Sequence, residues 1–278
     1  MFRHTIIIAR RELTEAVRSR WVLLCGGLFA LLALALAFVG MRSVGLNGVA
    51  GFSRTAIALL NLVLYLVPLL ALLLSISSMA AEREEGALEV LLAQPIARRT
   101  VVFGKWMGLA AALAIALCGG FGSAGLVIAV AGGDTSAGDY LLLVVRSFGL
   151  GLAFISLGLW LACSSSSRLR ALTWGLLLWF SSVLLYDLLV VGATALFGGS
   201  ALMTMLGLLL MANPVDLVRV AALIQLGGAD SFGLTAQALI GFLRGLRGSA
   251  LLVLALLAWI IVPLFGAVRA FGRRDFTA

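Results

Sequence analysis

The sequence predicts an all-α membrane protein: six transmembrane helices, an N-terminal amphipathic elbow helix, and short outer re-entrant or interfacial helices between spans five and six. Of 278 residues, 63% are hydrophobic and 12% charged, against roughly 45–50% and about 25% in soluble domains. Six uninterrupted apolar runs of about twenty residues or more divide the chain, each long enough to cross a hydrocarbon core of about 30 Å. The runs are apolar all round, whereas membrane strands alternate in segments of about ten. A soluble globular protein is excluded, and no room is left for a separate catalytic domain.

Residues 1–20 carry five arginines and two glutamates. As a helix they place Ile6, Ala9, Leu13, Ala16 and Val17 on one face and Arg11, Glu15 and Arg18 opposite, with Glu15 in reach of either arginine. Such a cytoplasmic helix lies along the membrane surface, as a basic anchor or as an elbow into the first span. The remainder, 21–278, reads as one transmembrane domain with spans at about 21–41, 56–78, 101–131, 140–163, 169–197 and 249–268. The first run is longer than a signal-peptide core and has no clear cleavage site, so it reads as a retained span.

With six spans both termini share a side. Fourteen of the 20 basic residues fall on that side, so the positive-inside rule puts both termini in the cytoplasm. Residues 79–100 then face the cytoplasm and 198–248 face outward. The net charge of +8 is an orientation signal, not a nucleic-acid footprint. Nineteen arginines to one lysine suit a GC-rich bacterial genome.

The outer segment opens with LMTMLGLLLM, 202–211, apolar but too short to cross. Asn213, Pro214 and Asp216 are suited to start a second short helix, about 214–226, ended by Gly227 and Gly228. A third apolar piece, 234–243, precedes the last span. Asp216 and Arg219, three apart, read as a surface pair. Arg146 and Asp187 lie at matching depths in the fourth and fifth spans, roughly 9 Å below the outer boundary. They are expected to pair, directly or through water, the alternative being that each reaches the interface separately. Small residues around Gly120 and Gly151 suit close helix packing within the chain or at a dimer seam.

Chemistry-bearing sets are scarce. His4 is the single histidine, and Cys25, Cys118 and Cys163 have no metal-ligand spacing. Gly104-Lys105 lacks the glycine and the preceding strand of a phosphate loop. No catalytic residues are assigned and no cofactor is expected on this chain. Met203, Met205 and Met211 are soft donors that suit copper(I), but 203 and 205 do not share a helical face and methionine packs readily.

Charge concentrates in AEREEGALEVLLAQPIARR, 81–99. Glu82, Arg83, Glu84 and Glu85 extend the second span into the cytoplasm, Gly86 loosens the helix, and Leu88, Leu91 and Leu92 form an apolar ridge beside Glu89. Pro95 stops it. A ridge flanked by carboxylates suits docking in a partner's groove.

This segment resembles the signature of type 2 ABC transporter permeases, E-R-E-x-G-T-L-E-x-L-L-x-x-P-I-S-R, with Ala87 where Thr is usual and Ala97 where Ser is usual. The resemblance implies an ATPase-coupling role for Glu82, Arg83, Glu84, Glu85, Gly86, Leu88, Glu89, Leu91, Leu92 and Pro95. It also implies two copies of a separate nucleotide-binding ATPase that carries ATP and magnesium, a second copy of this chain, and the bacterial inner membrane with its lipid. Within the family, RHTIIIARRELTEAVRSRW, the short first outer loop and NPVDLVRV resemble permeases encoded with the maturation proteins of nitrous oxide reductase. That closer resemblance implies a periplasmic accessory protein, met by Asn213, Pro214, Asp216 and Arg219, and service to copper sites through copper or sulfur. The alternatives are another exporter of the family, for drug, lipid or polysaccharide, or a membrane scaffold that passes force outward.

Overall fold

The computed structural model describes residues 2–47, 49–84, 86, 97–130, 137–196, 199–225, 243 and 245–273. The described residues form helices and no strand. They are α1 (Phe2–Arg18), α2 (Arg20–Asn47), α3 (Val49–Glu84), α4 (Arg98–Val130), α5 (Ala137–Ser164), α6 (Arg168–Phe180), α7 (Tyr186–Leu196), α8 (Gly199–Ala212), α9 (Pro214–Gln225) and α10 (Leu246–Arg273). A π-helical turn, Ser181–Leu185, joins α6 to α7. Among the described residues, six helical segments are long and apolar enough to cross a membrane: Leu23–Gly40, Thr55–Glu84, Arg98–Val130, Gly138–Ser164, Arg168–Leu196 and Arg247–Arg273.

The second and fourth spans are the centre of the bundle. About half of each is buried (50% and 56%), against 17% of the first and 11% of the fifth. α3 and α5 pack closely, and glycines allow it: a Cβ at Gly151 would meet Val67 at 3.1 Å, and one at Gly158 would collide with Ser75. α10 packs on the other side of α5, and α2 packs on α4 and α3. The core between them holds Leu64, Leu109, Leu113, Phe121, Phe154 and Phe271. Gly120 receives the ring of Phe29, so these small residues serve contacts within the chain, while Gly119 and Gly122 face open space.

Inside a helix bundle a buried hydroxyl satisfies itself locally. Ser75, Ser147 and Ser156 each donate to the carbonyl four residues back, at 2.7, 2.7 and 3.0 Å. Ser156 also accepts from Trp106 Nε1 at 2.9 Å, which ties α4 to α5.

Between the fifth and sixth spans, the segments Thr204–Ala212 and Pro214–Gln225 form a hairpin bent by 113°. Asn213 makes the bend: its Oδ1 accepts the Val215 N–H at 3.0 Å, and Pro214 supplies the first helical residue, which needs no donor. The third outer piece, 234–243, lies outside the described residues apart from Leu243, which packs with Leu210, Leu217 and Leu252.

Candidate functional site

One end of the bundle carries a buried charge cluster that joins α1, α3 and α4. Lys105 is 1% exposed, and its Nζ donates to Glu12 Oε2 at 2.7 Å and Ser78 Oγ at 3.0 Å. It also lies 2.8 Å from Glu82 Oε2. Arg11 completes the set, 2.7 Å from Glu15 and 3.6 Å from Glu82. Hydrogen bonding to Glu15 and the nearby carboxylates raise the Arg11 pKa above its ordinary value. Oxygens of Glu12, Glu15 and Glu82 lie within 4.8 Å of one another. The Lys105 ammonium and the Arg11 guanidinium lie against these carboxylates and offset their charge.

The burial of Lys105 follows from how α1 lies. Gly104 and Gly108, one turn apart, open a groove in α4, and a Cβ at Gly104 would sit 2.8 Å from Ile8, one at Gly108 2.5 Å from the Ala9 carbonyl. α1 therefore seats directly on α4 and covers the lysine between the two glycines. Ala16 is buried, and Ile8, Leu13 and Val17 pack on the core. The packed face also includes Glu12, while Ile6 is 46% exposed. The apolar face expected from the sequence is thus divided, Leu13, Ala16 and Val17 packing on the bundle beside Glu12 while Ile6 stays exposed. Of its two candidate arginines, Glu15 pairs with Arg11.

The same cluster grips the end of α3, from which the acidic segment departs. Glu82 is held by Lys105 and Arg11. Arg83 Nη1 donates to the carbonyls of Ala162 at 3.3 Å and Ser165 at 2.7 Å, in the turn between α5 and α6. Glu84 Oε1 accepts the Arg168 N–H at 3.1 Å, at the start of α6. Gly86, at φ +72°, ends the helix, where only glycine adopts this backbone without strain. It acts as a stop where the sequence suggested a loosened helix. On the return side, Arg98 Nη1 donates to the Gly272 carbonyl at 2.9 Å, at the last turn of α10. The segment between is thus rooted in α1, α4, α5, α6 and α10. Glu85, Leu88, Glu89, Leu91, Leu92 and Pro95 lie outside the described residues.

A second polar network lies at the opposite end and corrects a sequence expectation. Arg146 and Asp187 form no direct ion pair. Arg146 donates to the Ala221 carbonyl at 2.8 Å and to Gln225 Oε1, and Gln225 Nε2 in turn donates to Asp139 Oδ1 at 2.7 Å. Asp187 is taken by Arg219, which also meets Asp216 at 3.0 Å. Depth along two antiparallel helices fixed the height of the two residues but not the side each faces, and α9 supplies a partner to each. Asp216 and Arg219 do pair, though not at the surface, since Asp216 is 7% exposed. Burial raises the Asp216 pKa, and the Arg219 charge opposes the shift.

This network clasps the hairpin to the π-helical turn. A π turn displaces carbonyls from the regular ladder, and the Ser182 carbonyl accepts Asn213 Nδ2 at 2.8 Å. Tyr186 donates to the Leu209 carbonyl at 2.6 Å. Pro214 is buried. Asn213, Pro214 and Asp216 thus face the bundle. Met203, Met205 and Met211 all fall on α8. The Met211 carbonyl accepts Trp259 Nε1 at 3.0 Å.

Six candidate spans among the described residues, packed in one apolar bundle, make this a multi-pass membrane protein. The chain belongs to the ABC-2 family: the model described as "ABC-2 family transporter protein" matches residues 6–276. Two relatives carry the name "Probable ABC transporter permease protein NosY". The one from Pseudomonas aeruginosa is 37% identical over 228 residues, 81% of this chain and 82% of that protein. The one from Stutzerimonas stutzeri is 34% identical over 272 residues, 96% of this chain and 97% of its own. The protein is therefore a multi-pass membrane permease, and membership implies an ATPase partner.

Sequence reasoning missed the Lys105 cluster. Its signal was present as GKWMG, a small-xxx-small groove around the single lysine of the chain, but Glu12 and Lys105 are 93 residues apart.

Proposed function

We propose that this chain is the non-catalytic membrane subunit of an ATP-driven transporter in a bacterial inner membrane, with both termini cytoplasmic. It works as a homodimer with two copies of a separate ATPase that binds ATP and magnesium. Residues 79–100 are the coupling segment, with Leu88, Leu91 and Leu92 as the ridge and Glu82, Glu84, Glu85 and Glu89 as the flanking acids. The observation that carries this reading is the rooting of the segment: Glu82, Arg83 and Glu84 each grip a different neighbour. A push on the segment reaches α1, α4 and the α5–α6 turn together.

At the other end, the clasp of Asn213, Asp187, Asp216 and Arg219 transmits movement of the fifth span to the outer hairpin and so to a periplasmic accessory protein. The substrate role is maturation of the copper sites of nitrous oxide reductase, by copper or a sulfur species. It rests on the sequence resemblance together with the name of the two relatives. Co-purification tests the coupling: L88D together with L92D releases the ATPase from the tagged permease, and retention of the ATPase by that double variant overturns it.

A further inference from the structure

Between α2, α3 and α6 lies a crevice of about 270 Å³ whose polar and apolar ends are segregated. Ser19, Ser77 and Arg168 line one end. Ser19 sits at the break between α1 and α2, and Arg168 begins α6. Leu70, Leu73 and Leu172 line the rest. At about 1.5 Å per residue, Leu70 lies roughly 10 Å along α3 from Ser77, and Leu172 about 6 Å along α6 from Arg168. The polar end is therefore at the membrane boundary and the apolar part extends into the bilayer.

The polar groups are unspent. Among the described residues, no hydrogen bond engages the Ser19 hydroxyl, the Ser77 hydroxyl or the half-buried Arg168 guanidinium. Glu84, the acid that touches Arg168, meets its backbone N–H and not its side chain. Exposed Arg18, Arg20 and Arg170 belong to the same boundary and add to its positive field.

We propose that this crevice is a binding site for an anionic phospholipid. The lipid phosphate lies against Arg168 and the two hydroxyls, and its first methylenes lie on the leucines. The acyl chains continue along exposed apolar side chains such as Leu24 and Leu28 of α2 and Leu176 of α6. A free anion leaves the apolar end uncovered, and a zwitterionic lipid sets its own ammonium against the arginine. A lipid held here wedges the α1–α2 break against the start of α6, so the site stands apart from the coupling reading and survives its failure.

The test is lipid analysis of the intact transporter, purified in detergent from bacterial membranes, by native mass spectrometry and by extraction. Wild type retains phosphatidylglycerol or cardiolipin over phosphatidylethanolamine, and excess inorganic phosphate does not displace it. R168Q lowers that preference about fivefold, the weight of one basic residue at an anionic headgroup. L73W fills the crevice and strips lipid of every class. R170Q, which removes the same charge outside the crevice, lowers the preference far less, through the weaker boundary field alone. An unchanged lipid ratio in R168Q, an equal shift in R170Q, retention in L73W, or displacement by phosphate overturns the assignment.

Discussion

Replacing Lys105 with methionine keeps the length and apolar stem of the side chain and removes only its charge. The ammonium now sits 2.7 Å from Glu12 and 2.8 Å from Glu82, whose side chains are 6% and 14% exposed. Without it, two little-hydrated carboxylates face each other across the α1–α3 contact, beside Glu15. Removing one partner of a buried ion pair costs about 3–5 kcal/mol, chiefly because the other charge is stranded. That corresponds to about two to three and a half orders of magnitude in a local opening equilibrium. The cheapest relief is for α1 to lift from its groove, which hydrates Glu12. Hydrogen exchange of residues 2–18 in the K105M transporter therefore accelerates by at least a hundredfold. The neutral triple variant E12Q, K105M and E82Q leaves no charge stranded and recovers most of the protection. If K105M protects α1 as wild type does, the cluster does not hold this helix. If the triple variant is as labile as K105M, the loss came from packing and not from charge.

Four further outcomes follow from the same structure. G108L drives a side chain into the Ala9 carbonyl and Glu12; it should expose α1 to protease while leaving the spans folded, as limited proteolysis will show. G86A sets a Cβ at φ +72°, destabilising the end of α3 by about 1 kcal/mol and lowering ATP turnover coupled to transport more than ATP turnover itself. R219A strands the buried Asp216, whereas D187N removes a half-exposed partner. Protease sensitivity of the hairpin should rise strongly in the first and little in the second. A reporter fused after residue 278 should be active only if it folds in the cytoplasm; activity of a periplasm-dependent reporter there would invert the orientation.

Much of the architecture is legible in the sequence because hydrocarbon imposes a one-dimensional rule: length and apolarity name the spans without tertiary information. Asn213-Pro214 marks the outer bend because capping chemistry is local. What resists reading is the direction each polar side chain faces. Arg146 and Asp187 share a depth, yet Gln225 and Arg219, carried by a short helix after the fifth span, claim them first. Lys105 reads as one more basic residue near a membrane boundary, because its burial depends on α1 folding back onto α4. Gly104 and Gly108 announce a close approach but not which helix makes it.

The central claim is that the ATPase docks on the segment after the second span. Site-specific photo-cross-linking in the assembled transporter tests it most directly, with the probe placed at Leu88 in one preparation and at Leu208 in another. Leu208 is exposed on the outer hairpin, far from any cytoplasmic subunit in the proposed orientation. The account predicts an ATPase adduct from position 88 and none from 208. An adduct from 208, or none from 88 in a complex that hydrolyses ATP, contradicts it.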